Sequence, residues 1–221
     1  MNQTKFNGPG GRDFSVPLGT ASSGRLRFAR GAASVALRAD SSTGYLYRAR
    51  FDGPLPELHA LDGAVTIRYP RTFHPFDWRK RAGEVTLNSS IPWQIEFHGG
   101  LSRLDADLSV LRLGSFEIIG GASGVAVTLP SPLGTVSVRV SGGASDVTIH
   151  RPAGVAARIS VGRGASKLAF DDQHFGAIGG EMRLQTPDYE GAANRYNIQV
   201  SGGASKLTVN ARRHCGETIS P

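Results

Sequence analysis

Short runs in which apolar and polar residues alternate with period two recur along the chain: Trp93 to Phe97, Phe116 to Ile119, Val136 to Val140, Arg158 to Val161 and Tyr196 to Val200. Such alternation places one face of an extended strand in a core and the other in water. Each run ends at a corner of small residues and a second run begins after it. The corners are Gly99-Gly100-Leu101-Ser102, Gly120-Gly121-Ala122-Ser123, Gly142-Gly143-Ala144-Ser145, Gly164-Ala165-Ser166 and Gly202-Gly203-Ala204-Ser205, with a degraded copy at Gly31-Ala32-Ala33-Ser34. Their last five serines stand 21, 22, 21 and 39 residues apart. The final interval therefore carries an insertion of about 17–18 residues within an otherwise fixed period.

In the last copy Tyr196, Ile198 and Val200 share one parity, whereas Ser205, Leu207 and Val209 share the other. The change falls at Ser201-Gly202-Gly203, where glycine supplies the bent backbone that turns both apolar sets to one interior. A unit of two strands and a corner cannot bury its apolar face alone, but rungs stacked about 4.8 Å apart can. The pattern thus predicts an all-β, single-stranded β-solenoid, or β-helix, of 21- to 22-residue rungs, with a β-sandwich as the alternative. In the solenoid, Gly100, Ser102, Gly121, Ser123, Gly143, Ser145, Gly164, Ser166, Gly203 and Ser205 form a corner ladder. The expected organisation is a flexible tail over 1–13, one solenoid domain over 14–211 and a second tail over 212–221. Within the domain, 14–90 reads as irregular capping rungs and 91–211 as regular rungs, with the insertion near 171–194.

The glycine-serine corners, Ile91-Pro92-Trp93, Arg151-Pro152-Ala153-Gly154-Val155, and Thr186-Pro187-Asp188-Tyr189 leading to Arg195-Tyr196-Asn197-Ile198 together resemble the bacterial toast-rack group. That group is similar to the C-terminal domain of LiaF-type cell-envelope stress regulators and to adhesin-type domains with head-GIN-like β-helices. The resemblance covers most of Phe14 to Val209 and implies a β-solenoid with no catalytic residue. Such regulators carry transmembrane helices ahead of this domain, and the sequence has none, so a membrane-sensor role is not expected.

Composition changes the picture only in part. No apolar run approaches the ~18 residues of a membrane span, and Met1 to Gly11 has no signal-peptide core, so a soluble, cytoplasmic chain is expected, membrane-associated at most through a partner. Cys215 is the only cysteine, which excludes an internal disulfide and a cysteine-based zinc site. A formal charge of +7 attracts anionic partners, yet the arginines are dispersed. Aromatic and basic residues interleave in one segment, where Arg71, Phe73, Phe76, Trp78, Arg79, Lys80 and Arg81 form a candidate contact surface for nucleic acid or an anionic membrane.

Catalytic chemistry finds no foothold. A nucleophilic serine needs a single exposed Oγ beside a base, and a serine repeated in every rung is a stacking residue instead. The histidines show no metal-ligand spacing, and Asp171-Asp172-Gln173-His174, the best local cluster, reads as a turn. No catalytic residue, metal or cofactor is expected. The sequence therefore predicts a non-enzymatic binding or scaffold protein with a protein partner, in bacterial envelope-stress or regulatory signalling. The alternatives are a basic module acting through Arg71 to Arg81 and a self-assembling structural protein that joins copies through the exposed last rung.

Overall fold

A computed structural model describes residues 13–32, 34–42, 44–52, 55–69 and 82–212. Among them lie nineteen strands and no helix, arranged in a ten-stranded sheet A and a nine-stranded sheet B. Seven rungs each contribute one strand to sheet B and the next strand to sheet A. In chain order they are β2 (Gly24–Ala29) with β3 (Ser34–Asp40), β6 (Ala64–Arg68) with β7 (Ala82–Asn88), β8 (Pro92–His98) with β9 (Leu104–Asp107), and β10 (Arg112–Ile119) with β11 (Ala122–Thr128). There follow β12 (Thr135–Val140) with β13 (Ala144–Pro152), β14 (Ala156–Val161) with β15 (Ala165–Phe170), and β18 (Arg195–Val200) with β19 (Ala204–Arg212). Neighbouring rungs pair in parallel in both sheets. This is a flattened β-solenoid with two strands per rung.

Spatial order departs from chain order at both ends. Along the stack the rungs run β6/β7, β2/β3, β8/β9, β10/β11, β12/β13, β18/β19, β14/β15. The last rung of the sequence is thus embedded between two others, and the expectation that it leaves an exposed edge for self-assembly is corrected. The insertion over 171–194 supplies β16 (Gln173–Ile178) and β17 (Met182–Gln185), which run against the winding and pair antiparallel with β15 and β14. At the other end β4 (Tyr45–Asp52) and β5 (Glu57–Leu61) form a second reversed pair against β7 and β6, and β1 (Asp13–Pro17) lies outside β4. The stretch 14–90, read from sequence as capping, holds two full rungs besides these reversed strands. Short strands at each edge limit the length of backbone open to pairing.

The two sheets face each other across one apolar cluster that extends from Leu26 to Val209. Phe28 is in register with Phe97 and lies on it with ring centroids 4.9 Å apart and an 11° interplanar angle, whereas Phe97, in register with Ile118, meets Phe116 diagonally at 5.9 Å. Trp93 is wholly buried, and its indole Nε1 donates to Asn88 O at 2.7 Å, which satisfies its one polar atom. Gly24 makes room for it, since a Cβ there would stand 2.5 Å from the ring.

Candidate functional site at the glycine corner

Each corner is built from residues with distinct tasks. The first glycine lets adjacent backbones touch: a Cβ on Gly120 would stand 2.6 Å from Gly99 O, on Gly142 2.6 Å from Gly120 O, and on Gly202 2.6 Å from Gly142 O. Gly99 and Gly120 also adopt φ values of 97° and 136°, which favour glycine. The carbonyl of the second glycine accepts the amide of the neighbouring rung, as in Leu101 N to Gly121 O (3.0 Å), Ala122 N to Gly143 O (2.9 Å), Ala144 N to Gly203 O (3.0 Å) and Ala204 N to Gly164 O (3.0 Å). Next comes an inward residue, Leu101, Ala122, Ala144, Ala204 or Ala165, all buried.

The serine that follows points outward in each of these five rungs. Ser123, Ser145, Ser205 and Ser166 stand in register in that order, not in chain order, and Ser166 Oγ lies 3.4 Å from Ser205 Oγ. Ser205 was expected to share a face with Leu207 and Val209, and here the structure corrects the sequence reading. Lys206 has φ 56°, so Ser205 and Lys206 both face solvent and the strand recovers its inward phase at Leu207. Asp146 (52°), Lys167 (55°) and Gly124 (61°) form the same bulge. The signal was present in the three-residue spacing Ala122–Val125, Ala144–Val147, Ala165–Leu168 and Ala204–Leu207, which breaks a period of two.

The second glycines are sterically free. A Cβ on Gly100, Gly121, Gly143 or Gly203 would find its nearest atom at 4.0, 3.7, 3.5 or 3.8 Å, all within ordinary contact, and none of the four has a left-handed φ. All four are exposed, so they form a track without side chains. Gly164 differs, being buried at φ 87° with Ile178 O 2.6 Å from its would-be Cβ. Where the track reaches the outer rungs it opens into a shallow groove of about 430 Å³, lined among others by Gly143, Ser145, Arg163, Ile178, Gly203 and Ser205. Arg163 and the nearby Lys167 are exposed, and Lys206 pairs with Asp146 at 2.8 Å.

Beyond the serines, the outer face of sheet A carries Ala126, Thr148, Thr208 and Ala169 in one row and Thr128, His150 and Asn210 in the next, with His150 Nδ1 2.6 Å from Asn210 Oδ1. The outer face of sheet B is charged and internally paired: Arg27 with Glu96 (2.8 Å), Arg139 with Glu117 (3.6 Å), and Arg158 with Glu190. Burial alone would raise the Glu96 carboxyl, but hydrogen bonds from His98 and Arg27 and the charges of Arg27 and Arg25 outweigh it and hold the group below its ordinary value.

The candidate surface Arg71, Phe73, Phe76, Trp78, Arg79, Lys80 and Arg81 lies outside the described residues. In the turn before β16, Asp171 accepts from Arg151 and from Ala211 N, while His174 Nδ1 lies 3.2 Å from Asp172 O. Among the described residues no three His, Cys, Asp or Glu side chains are grouped to hold a metal, and no helix is long and apolar enough to cross a membrane.

No curated protein matches the chain. Its fold is similar to the crystal structure of a "putative cell adhesion protein" from Clostridium sporogenes, at 18% identity over 90% of this chain and 98% of that one, with a TM-score of 0.71. A "putative adhesin" from Bacteroides fragilis aligns at 10% identity over 91% of this chain and 95% of that one, with a TM-score of 0.36. Residues 57–150, from β5 through most of β13, match the family described as the N-terminal domain of toast_rack, DUF2154, and over that stretch the chain is similar to it.

Proposed function

We propose that this is a non-enzymatic binding protein that takes a partner protein along the glycine track and the adjoining outer face of sheet A, in bacterial envelope-stress or regulatory signalling. The observation that carries this reading is that Gly100, Gly121, Gly143 and Gly203 are glycine where the fold would accept alanine. Glycine that the fold does not require leaves the backbone open to close approach from outside. The Clostridium sporogenes protein of similar fold, a "putative cell adhesion protein", is in keeping with a binding role. A test replaces Gly121, Gly143 and Gly203 by leucine, which has room to extend into solvent. The triple variant should unfold at or above the wild-type urea midpoint and lose a partner that proximity labelling in the source cell assigns to the wild type. Unchanged labelling, or turnover of a substrate in an activity screen, overturns the reading.

The competing reading is a basic module that uses Arg71 to Arg81 on nucleic acid or anionic lipid, favoured by the charge of +7. Phosphate contacts weaken steeply with salt. Binding to DNA or to anionic vesicles that falls with salt and disappears in an Arg79→Ala/Lys80→Ala/Arg81→Ala variant would support it over the glycine track.

A further inference from the structure

β14 and β15 pair with β18 and β19 on one side and with β17 and β16 on the other, and neither pairs with β12 or β13. The module 156–185 therefore joins the sheets through the rung that follows it in sequence. That rung fills a slot, with Val136, Val138 and Val140 beside Tyr196, Ile198 and Val200 on one flank and Ala157, Ile159 and Val161 on the other.

Two sets of contacts hold the slot closed. On the inner flank Tyr196 Oη donates to Pro130 O (2.7 Å), Arg195 Nε donates to Thr135 Oγ1 (3.1 Å), and Gly134 N donates to Asn194 Oδ1 (2.7 Å). Across the whole slot, Arg151 at the end of β13 donates from Nη2 to Asp171 Oδ2 beyond β15, while Ala211 N of β19, between them, donates to Asp171 Oδ1 at 3.1 Å. The Arg151 side chain is 5% exposed, and Nη1 also donates to Val155 O. A buried guanidinium that loses its carboxylate is strongly unfavourable, so this pair and the rung it spans stabilise each other. Tyr189 then couples rung to module, because its ring lies 3.9 Å from Arg158 Cζ of β14 and 4.9 Å from Arg195 Cζ of β18.

We propose that 156–212 is one opening unit of the native protein, in which β18/β19 is the wedge, Arg151–Asp171 the latch, and the release of both bares the parallel edges of β12 and β13. Local opening in contiguous units is a general property of folded chains, and here the pairing topology fixes the boundary of the unit. Hydrogen exchange of the full chain in rising, sub-denaturing urea, followed by mass spectrometry, tests it. Peptides from β14, β15, β18 and β19 should converge on one shared opening, at least ten-fold more frequent than that of peptides from β8 to β11. Asp171→Asn should accelerate the shared opening a further ten-fold or more and leave the β8 to β11 peptides unchanged. A single opening common to all these strands, or β14 and β15 remaining protected while β18 and β19 open, overturns the proposal. If the variant does not fold, the wild-type urea series decides alone.

Discussion

Alanine placed at the two glycines of one corner should have opposite effects, although Gly142 and Gly143 are adjacent and neither has a left-handed φ. At Gly142 the new Cβ would stand 2.6 Å from Gly120 O, 2.7 Å from Gly120 C and 2.9 Å from Gly121 N, all backbone atoms of the next rung. Restoring an ordinary contact of 3.4 Å demands a displacement of about 0.8 Å between two rungs whose ladder bonds are already set at 2.9–3.0 Å. Overpacking of this kind costs about 1–3 kcal/mol. At Gly143 the nearest atom is Gly203 O at 3.5 Å, and alanine restricts the unfolded chain, a gain of about 0.4–1 kcal/mol. The two variants should therefore differ by at least about 1.5 kcal/mol, or about 0.5 M in urea midpoint at an m-value near 3 kcal/mol per molar. Equal midpoints, or a larger loss at Gly143, would refute the division of the corner into a packing glycine and a free one.

Gly24→Ala drives a Cβ to 2.5 Å from the buried Trp93 ring and should lower the thermal midpoint with a shift in tryptophan emission; an unchanged midpoint would mean that Trp93 is not seated against β2. Lys167→Gly should stabilise the chain by up to about 1 kcal/mol by relieving a left-handed lysine, and Gly124→Ala should cost about 1–2 kcal/mol, both read from urea unfolding. Burial pushes the Tyr47 phenol up to about 12 and shifts that of Tyr196 in the same direction. Because the fold favours the protonated phenols, this contribution is complete below the unfolded value near 10 and is lost as pH rises through 12. Spectrophotometric titration in which both ionise near 10 with the fold intact would contradict it.

The strands were legible because the apolar residues of each rung point one way and water takes the rest, and the corners because glycine is needed where backbones of adjacent rungs touch. The hairpin that joins β5 to β6 went unread, although Asp62-Gly63, both at positive φ, is the ordinary signal for one. What sequence reasoning assigned to the wrong face was Ser205, since a regular alternation hides one left-handed residue. It also gave the corner weight to Gly143 and Gly203, whereas the close backbone contacts fall on Gly142 and Gly202. Arg163 and Lys167 sit in a run, Gly162 to Lys167, that lacks the Gly-Lys-Ser/Thr ending of a phosphate loop, and the place of Arg163 in the groove follows only from the rung order.

Rung order itself is invisible in a repeat, because Gly-Ala-Ser rungs with alike strands can pair with each other in any sequence. What distinguishes the edges is which of them the reversed strands occupy. A two-residue turn at Asp171-Asp172 folds β16 back on β15, and β17 then closes on β14. Together these antiparallel strands occupy the outer edges of β14 and β15. The edges left for a parallel partner are the inner ones, and β18/β19 meets β12/β13 there with Asp146 facing Lys206 and Arg151 reaching Asp171. The insertion therefore does more than lengthen one interval, since it directs the final rung inward and leaves both sheets ending in short reversed strands.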